Sequence, residues 1–170
     1  MKNIHIVHEV DCSPAVFWKL QFDPVFNEAL LRAAMKIEDY KILKFEENDR
    51  QILRTTTGNP KIDLPGPIKK IMGSGFGYTE EGKFDKATQT WTWKITISSF
   101  GDKARNEGTM RVESIGENKV RRTADAVVEC KIFGVGGMIE GNMEKAVVEG
   151  WNAGAAFVNK WIADGKAPAA

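Results

Sequence analysis

From Lys36 to about Ile132 the chain reads as strands of alternating residues separated by turn signals. It then switches once, to a single long helical period that runs nearly to the end. A chain patterned this way gathers its strands into one sheet and has one long helix with which to cover it. Strands are expected at 3–10, 37–46, 50–57, 75–85, 89–99, 106–115 and 119–132. The connectors Asn48-Asp49, Phe100-Gly101-Asp102 and Gly116-Glu117-Asn118 are too short for parallel crossovers, so the sheet is antiparallel. The alternation is clearest where Trp91, Trp93, Ile95 and Ile97 face one way and Thr92, Lys94, Thr96 and Ser98 the other.

Two short helices follow the first strand. Ser13-Pro14 and Asp23-Pro24 each place a capping side chain before a proline at the first helical position. Val16, Phe17 and Leu20 give the first helix an apolar face, and Val25, Phe26, Ala29, Leu30 and Ala33 give one to the second, which ends near Met35. The long helix spans about 137–163. Ile139, Met143, Ala146, Val147, Gly150, Gly154, Phe157, Val158 and Trp161 fall on one side, with Glu140, Glu144, Glu149, Asn152 and Lys160 largely opposite. At 1.5 Å per residue it is roughly 40 Å long, enough to cross a sheet. Between the strands at 50–57 and 75–85, Pro60, Pro65 and Pro67 exclude a regular strand, leaving a loop with one helical turn after Pro67. That loop either covers an opening of the sheet or is a solvated connector.

Composition removes several classes of partner. The 170 residues make one domain, expected over 1–164 with 165–170 as a flexible tail. With 24 Lys+Arg against 23 Asp+Glu there is no basic surface for phosphate backbones, so no nucleic-acid partner is expected. No stretch reaches the roughly 18 apolar residues of a transmembrane segment. The N-terminus has no apolar leader, which makes a cytoplasmic location the expectation. Two cysteines, Cys12 and Cys130, are too few for a disulfide framework or a four-ligand zinc site, and no cofactor or metal is expected.

The order strand, two short helices, six strands, long helix resembles the START-like superfamily, also called SRPBCC or helix-grip proteins. The wording of Glu9-Val10-Asp11-Cys12-Ser13-Pro14-Ala15-Val16-Phe17-Trp18 is similar to that superfamily's strand-to-helix opening. Within it, Leu64-Pro65-Gly66-Pro67 and the segment from Lys131 to Glu140 resemble a bacterial family of uncharacterised function. The resemblance implies an α+β helix-grip fold: a curved seven-stranded antiparallel sheet whose concave face is covered by the long C-terminal helix, around a cavity. It implies little about chemistry, because the superfamily contains lipid carriers, polyketide cyclases, hydroxylase subunits and co-chaperones. With the first and last strands paired antiparallel, Cys12 and Cys130 would lie on the order of 25 Å apart and form no disulfide.

Each glycine in the long helix costs about 1 kcal/mol relative to alanine, so Gly141, Gly150 and Gly154 need a spatial reason. Either Gly150 and Gly154 allow close packing or they leave room for a ligand. The last strand presents Ala124, Ala126, Val128 and Cys130 on one face with Arg122 and Ile132, opposite the larger Phe76, Tyr78, Trp91, Trp93, Met110 and Val112. The expected ligand-lining set is therefore Phe76, Tyr78, Trp91, Trp93, Met110, Ala126, Met143, Gly150, Gly154 and Phe157, with His8 and Arg122 as polar anchors. His5 and His8 point to opposite faces and cannot share a metal. No residue is assigned a catalytic role, and Cys12 has no basic partner to activate it. The expected function is binding or transport of an apolar or amphipathic, lipid-like small molecule. The alternatives are a polyketide cyclase/aromatase-like or hydrolase enzyme, which needs His8 to converge with a carboxylate or tyrosine such as Tyr78, and a protein-interaction module with a filled core. A homodimer through the sheet's outer face also stays open.

Overall fold

A computed structural model describes residues 1–37, 39–60, 66, 68, 70 and 77–169. The elements come in the expected order: β1 (Lys2–Val10), α1 (Pro14–Phe22), α2 (Pro24–Met35), β2 (Lys41–Glu47), β3 (Gln51–Gly58), β4 (Tyr78–Asp85), β5 (Thr90–Ile97), β6 (Ala104–Gly116), β7 (Lys119–Cys130) and α3 (Gly136–Ala163). One seven-stranded antiparallel sheet runs β1-β7-β6-β5-β4-β3-β2. This is the helix-grip α+β fold.

The capping signals act as read. Ser13 Oγ accepts from the Val16 amide and Asp23 Oδ1 from the Phe26 amide, so the chain turns twice at the foot of the sheet without stranding helix-end donors. The structure departs from the sequence reading in several places. The second strand begins at Lys41 instead of residue 37, because Lys36 takes a left-handed conformation that ends α2, and Ile37 makes only an isolated bridge to Pro60. Along α3, Ala146 is exposed although the helical period put it on the buried side. Glu140, assigned to the polar side, is buried, where its Oε1 accepts from the Cys130 amide at 3.0 Å and ties the start of α3 to the end of β7. The residues beyond Asp164, read as a flexible tail, return to the body: Trp161 Nε1 donates to the Lys166 carbonyl and Lys19 Nζ to the Ala169 carbonyl.

Inward residues of the central strands set the shape of the concave face. A Cβ at Gly82 would lie 1.9 Å from the Trp91 ring, and one at Gly108 would lie 2.6 Å from the Trp93 ring and 2.4 Å from the Asp125 carbonyl oxygen. Both indoles lie flat across neighbouring strands, in gaps that only glycine leaves. α1 closes one end of the sheet by laying Trp18 against Phe84 (ring centroids 4.3 Å apart) and Phe22 against Trp91 (5.7 Å). Gly108→Ala is expected to destabilise the fold by on the order of 1–3 kcal/mol through overpacking. The measurement is urea unfolding, and an unchanged midpoint would show that Trp93 does not rest there.

Candidate functional site

The concave face does not carry one continuous core. A large cluster gathers Ile4, Trp18, Trp91, Trp93, Met110 and Val158, and a smaller one gathers Ile68, Ile97, Phe100, Cys130 and Ile139. Ile95 on β5 and Met143 on α3 touch both clusters and yet are only half-buried. Val112, Val147 and Trp151 are likewise packed against the large cluster while keeping accessible surface. Apolar side chains of the sheet and of α3 thus stay half-exposed among buried neighbours.

The expected lining residues fall into three groups. Trp93, Met110, Arg122, Ala126 and Met143 gather along β5–β7 and α3, with the Trp93 ring 5.4 Å from that of Trp151. Trp91 is buried under Phe22 and Phe84 side chains of the closed end. Gly150, Gly154 and Phe157 belong to the seam between α2 and α3: a Cβ at Gly150 would lie 3.1 Å from Met35 Cε, one at Gly154 3.8 Å from Leu30 Cδ1, and Phe157 lies against Phe26. Phe76 lies outside the described residues. His8 and Tyr78 are not brought together. They stand four strand spacings and most of a strand's length apart, on the order of 30 Å over the sheet.

His8 meets Arg122 instead, its direct partner across β1 and β7. Arg122 Nη2 donates to His8 Nδ1 at 2.9 Å and to the Trp151 carbonyl at 3.1 Å, and its Cζ stands 4.7 Å above the Trp151 ring. Since an arginine only donates, Nδ1 must carry the lone pair, and the proton sits on Nε2, which donates to Asn152 Oδ1 at 2.8 Å. Burial, with Arg122's charge adding to it, holds the imidazole pKa below its ordinary value against the opposing bond to Asn152. Burial brings the Arg122 guanidinium down to about 10, so it remains a cation at neutral pH, and its Nε is buried with no partner among the described residues.

A second polar group lies towards β3 and β4. Arg54 is 6% exposed, donates from Nη1 to the Gln21 carbonyl at 2.8 Å and from Nη2 to Glu80 Oε1 at 3.4 Å, and stands 4.9 Å over the Trp91 ring. Tyr40 and Tyr78 share this neighbourhood, and burial raises both phenol pKa values, so each is a neutral O–H. The Tyr40 hydroxyl is buried without a partner among the described residues. Sequence reasoning missed Tyr40, Glu80, Trp151 and Asn152. For Glu80 the signal was available, since it shares the inward period of Tyr78 and Phe84. Burial pushes the Cys12 thiol up to about 11, with Asp11's charge adding to it, which leaves it unreactive at neutral pH. Among the described residues no cluster of His, Cys, Asp and Glu has the geometry of a metal site. A groove of about 630 Å³ lies on the outer face, across β1, β7, β6 and β5, bordered by His5, Lys94, Glu107 and Asp125, with His5 Nδ1 2.7 Å from Asp125 Oδ1.

Residues 5–162 match the family model described as "Protein of unknown function (DUF2505)". The chain belongs to this family. No curated protein sequence matches it. Solved structures place the family's architecture. An aromatase/cyclase from Streptomyces sp. R1128 superposes with a TM-score of 0.62 at 13% identity, over 95% of this chain and 95% of its own. Norcoclaurine synthase from Thalictrum flavum, in complex with dopamine and hydroxybenzaldehyde, gives 0.66 at 16% identity over 96% and 87%. A START superfamily protein from Mycobacterium smegmatis gives 0.60 at 17% identity over 95% and 97%. At such identities the likeness establishes the START-like helix-grip fold of this DUF2505 chain. Among the described residues no helix is long and apolar enough to cross a membrane.

The state of His8 has a pH signature. Its pKa is depressed on folding, so below the unfolded value near 6.5 the unfolded chain takes up a proton that the folded chain excludes, and stability falls with acid until the folded pKa is passed. Between pH about 7 and about 5 the wild type is expected to lose more stability than His8→Gln, as read by denaturation midpoints. Equal losses would mean that the imidazole is not held neutral.

Proposed function

We propose that this chain binds an apolar or amphipathic small molecule, lipid-like in character, between the concave face of its sheet and α3. The observation that carries this reading is the divided core: Ile95, Val112, Met143, Val147 and Trp151 face inward and keep accessible apolar surface. Apolar surface left open inside a folded chain is stabilised when a ligand covers it, at roughly 25 cal/mol per Å². The structural relatives fit such an interior, since one is an aromatase/cyclase and another was solved in complex with dopamine and hydroxybenzaldehyde. Native mass spectrometry of protein purified from its own source is expected to show a retained organic mass. Met143→Trp, which fills the space where the two core clusters meet, is expected to weaken retention about tenfold or more by steric exclusion. A folded Met143→Trp variant that retains the ligand unchanged would remove that space from the site.

A second reading, an enzyme of the cyclase or hydrolase type, is favoured by one observation: Tyr78 and Glu80 stand two residues apart on one face of β4, and the buried phenol of Tyr40 is within electrostatic range of both. A carboxylate beside two phenols can accept and donate protons to a bound substrate. On this reading the retained molecule is converted on incubation, and Glu80→Gln stops the conversion while the molecule stays bound. Conversion at an undiminished rate in Glu80→Gln would dismiss the role of that carboxylate.

A further inference from the structure

The inward side of the sheet holds an uneven set of charges. Arg54 has a carboxylate, Glu80, at 3.4 Å. Arg122 is 8% exposed and, among the described residues, has none: its partners there are His8 Nδ1, the Trp151 carbonyl and the Trp151 ring. None of these carries a negative charge, and Nε is buried without a partner among the described residues. A buried cation normally has a counter-charge, because taking it out of water unpaired is costly.

The surroundings show where that counter-charge would enter. Val112 pairs directly with Arg122 across β6 and β7 and is half-buried, as is Trp151 above the guanidinium. The next inward residues of β7 are the small Ala124 and Ala126. On the other side, His8 and Asn152 hold the guanidinium in place, because the neutral imidazole accepts from Nη2 while its own N–H is fixed by Asn152. Resting on the reading of the interior as a ligand site, we propose that Arg122 is its head-group anchor, taking the anionic oxygens of an amphipathic ligand whose apolar part lies along Val112 and Trp151. A carboxylate suits it best, since its two coplanar oxygens match the planar fork of a guanidinium. His8 is then a positioning residue.

The test compares three probes that share one apolar tail, namely dodecanoate, dodecyl phosphate and dodecanol, titrated calorimetrically into the full chain. Dodecanoate is expected to bind about tenfold or more tightly than dodecanol, the span a charge-assisted hydrogen bond supplies. Arg122→Gln is expected to abolish that preference while changing dodecanol affinity less than about threefold, and Arg122→Lys to keep part of it. Tighter binding of dodecyl phosphate with the same dependence on Arg122 would uphold the anchor and name phosphate as its head group. Equal affinities of wild type for dodecanoate and dodecanol, or a preference that survives Arg122→Gln, would overturn the anchor alone. Failure of all three probes to bind would overturn the ligand-site reading along with it. If Arg122→Gln does not fold, the wild-type comparison and Arg122→Lys still decide.

Discussion

The concave face depends on two indoles laid across two glycines. Trp91 over Gly82 and Trp93 over Gly108 occupy positions where any Cβ would collide, so the inner surface of β4–β6 is smooth and aromatic. Both α1 and α3 pack against these rings. α1 brings Phe22 to Trp91, and α3 brings Trp151 to Trp93. Arg54 and Arg122 each lie on a ring of this system, over Trp91 and Trp151. Ring faces hold a guanidinium without neutralising it, which lets cations persist in an otherwise apolar interior.

The two arginines differ in what surrounds them. Arg54 is accounted for by Glu80, the Gln21 carbonyl and two ring faces. It ties α1 to β3 and β4, and replacing it would loosen the closed end. Arg122 ties β7 to β1 and to α3 through neutral acceptors only. It also fixes the protonation of His8, because a second N–H on that imidazole would point at a donor. The histidine and the arginine therefore form one unit, with a direction set by Asn152.

Much of this was legible in the chain itself. Proline after a capping side chain placed both short helices, period two placed the seven strands, and the inward register of His8, Arg122, Ala126 and Trp93 followed from alternation alone. The α2–α3 seam was not legible. Gly150 and Gly154 fit close packing and ligand room equally well until Met35 and Leu30 are seen against them. Helical period also placed Ala146 and Glu140 on the wrong sides, since α3 follows β1 and β7 and is flanked by α2, so its buried stripe is bent away from a regular face. Tyr40 and Trp151 escaped notice because each joins its cluster by contacts distant in sequence, which a one-dimensional pattern does not record.

α3 is fixed along its length. Near its start Glu140 accepts from the Cys130 amide, in its second half Asn152 accepts from His8, and further on Asn159 accepts from the Asp11 amide and donates to the Glu9 carbonyl. With the bond from Arg122 to the Trp151 carbonyl, these ties to β1, β7 and the turn after β1, spread over most of the helix, make it the fixed wall of the interior. Lifting α3 would break all of them and open the seam with α2, which is far more disruptive than rotating side chains. Room for a ligand therefore comes from side chains that already stand half-exposed. Met143, with three rotatable bonds, and Trp151, whose half-exposed ring lies against Trp93 and under Arg122, are the ones that can yield without disturbing the backbone.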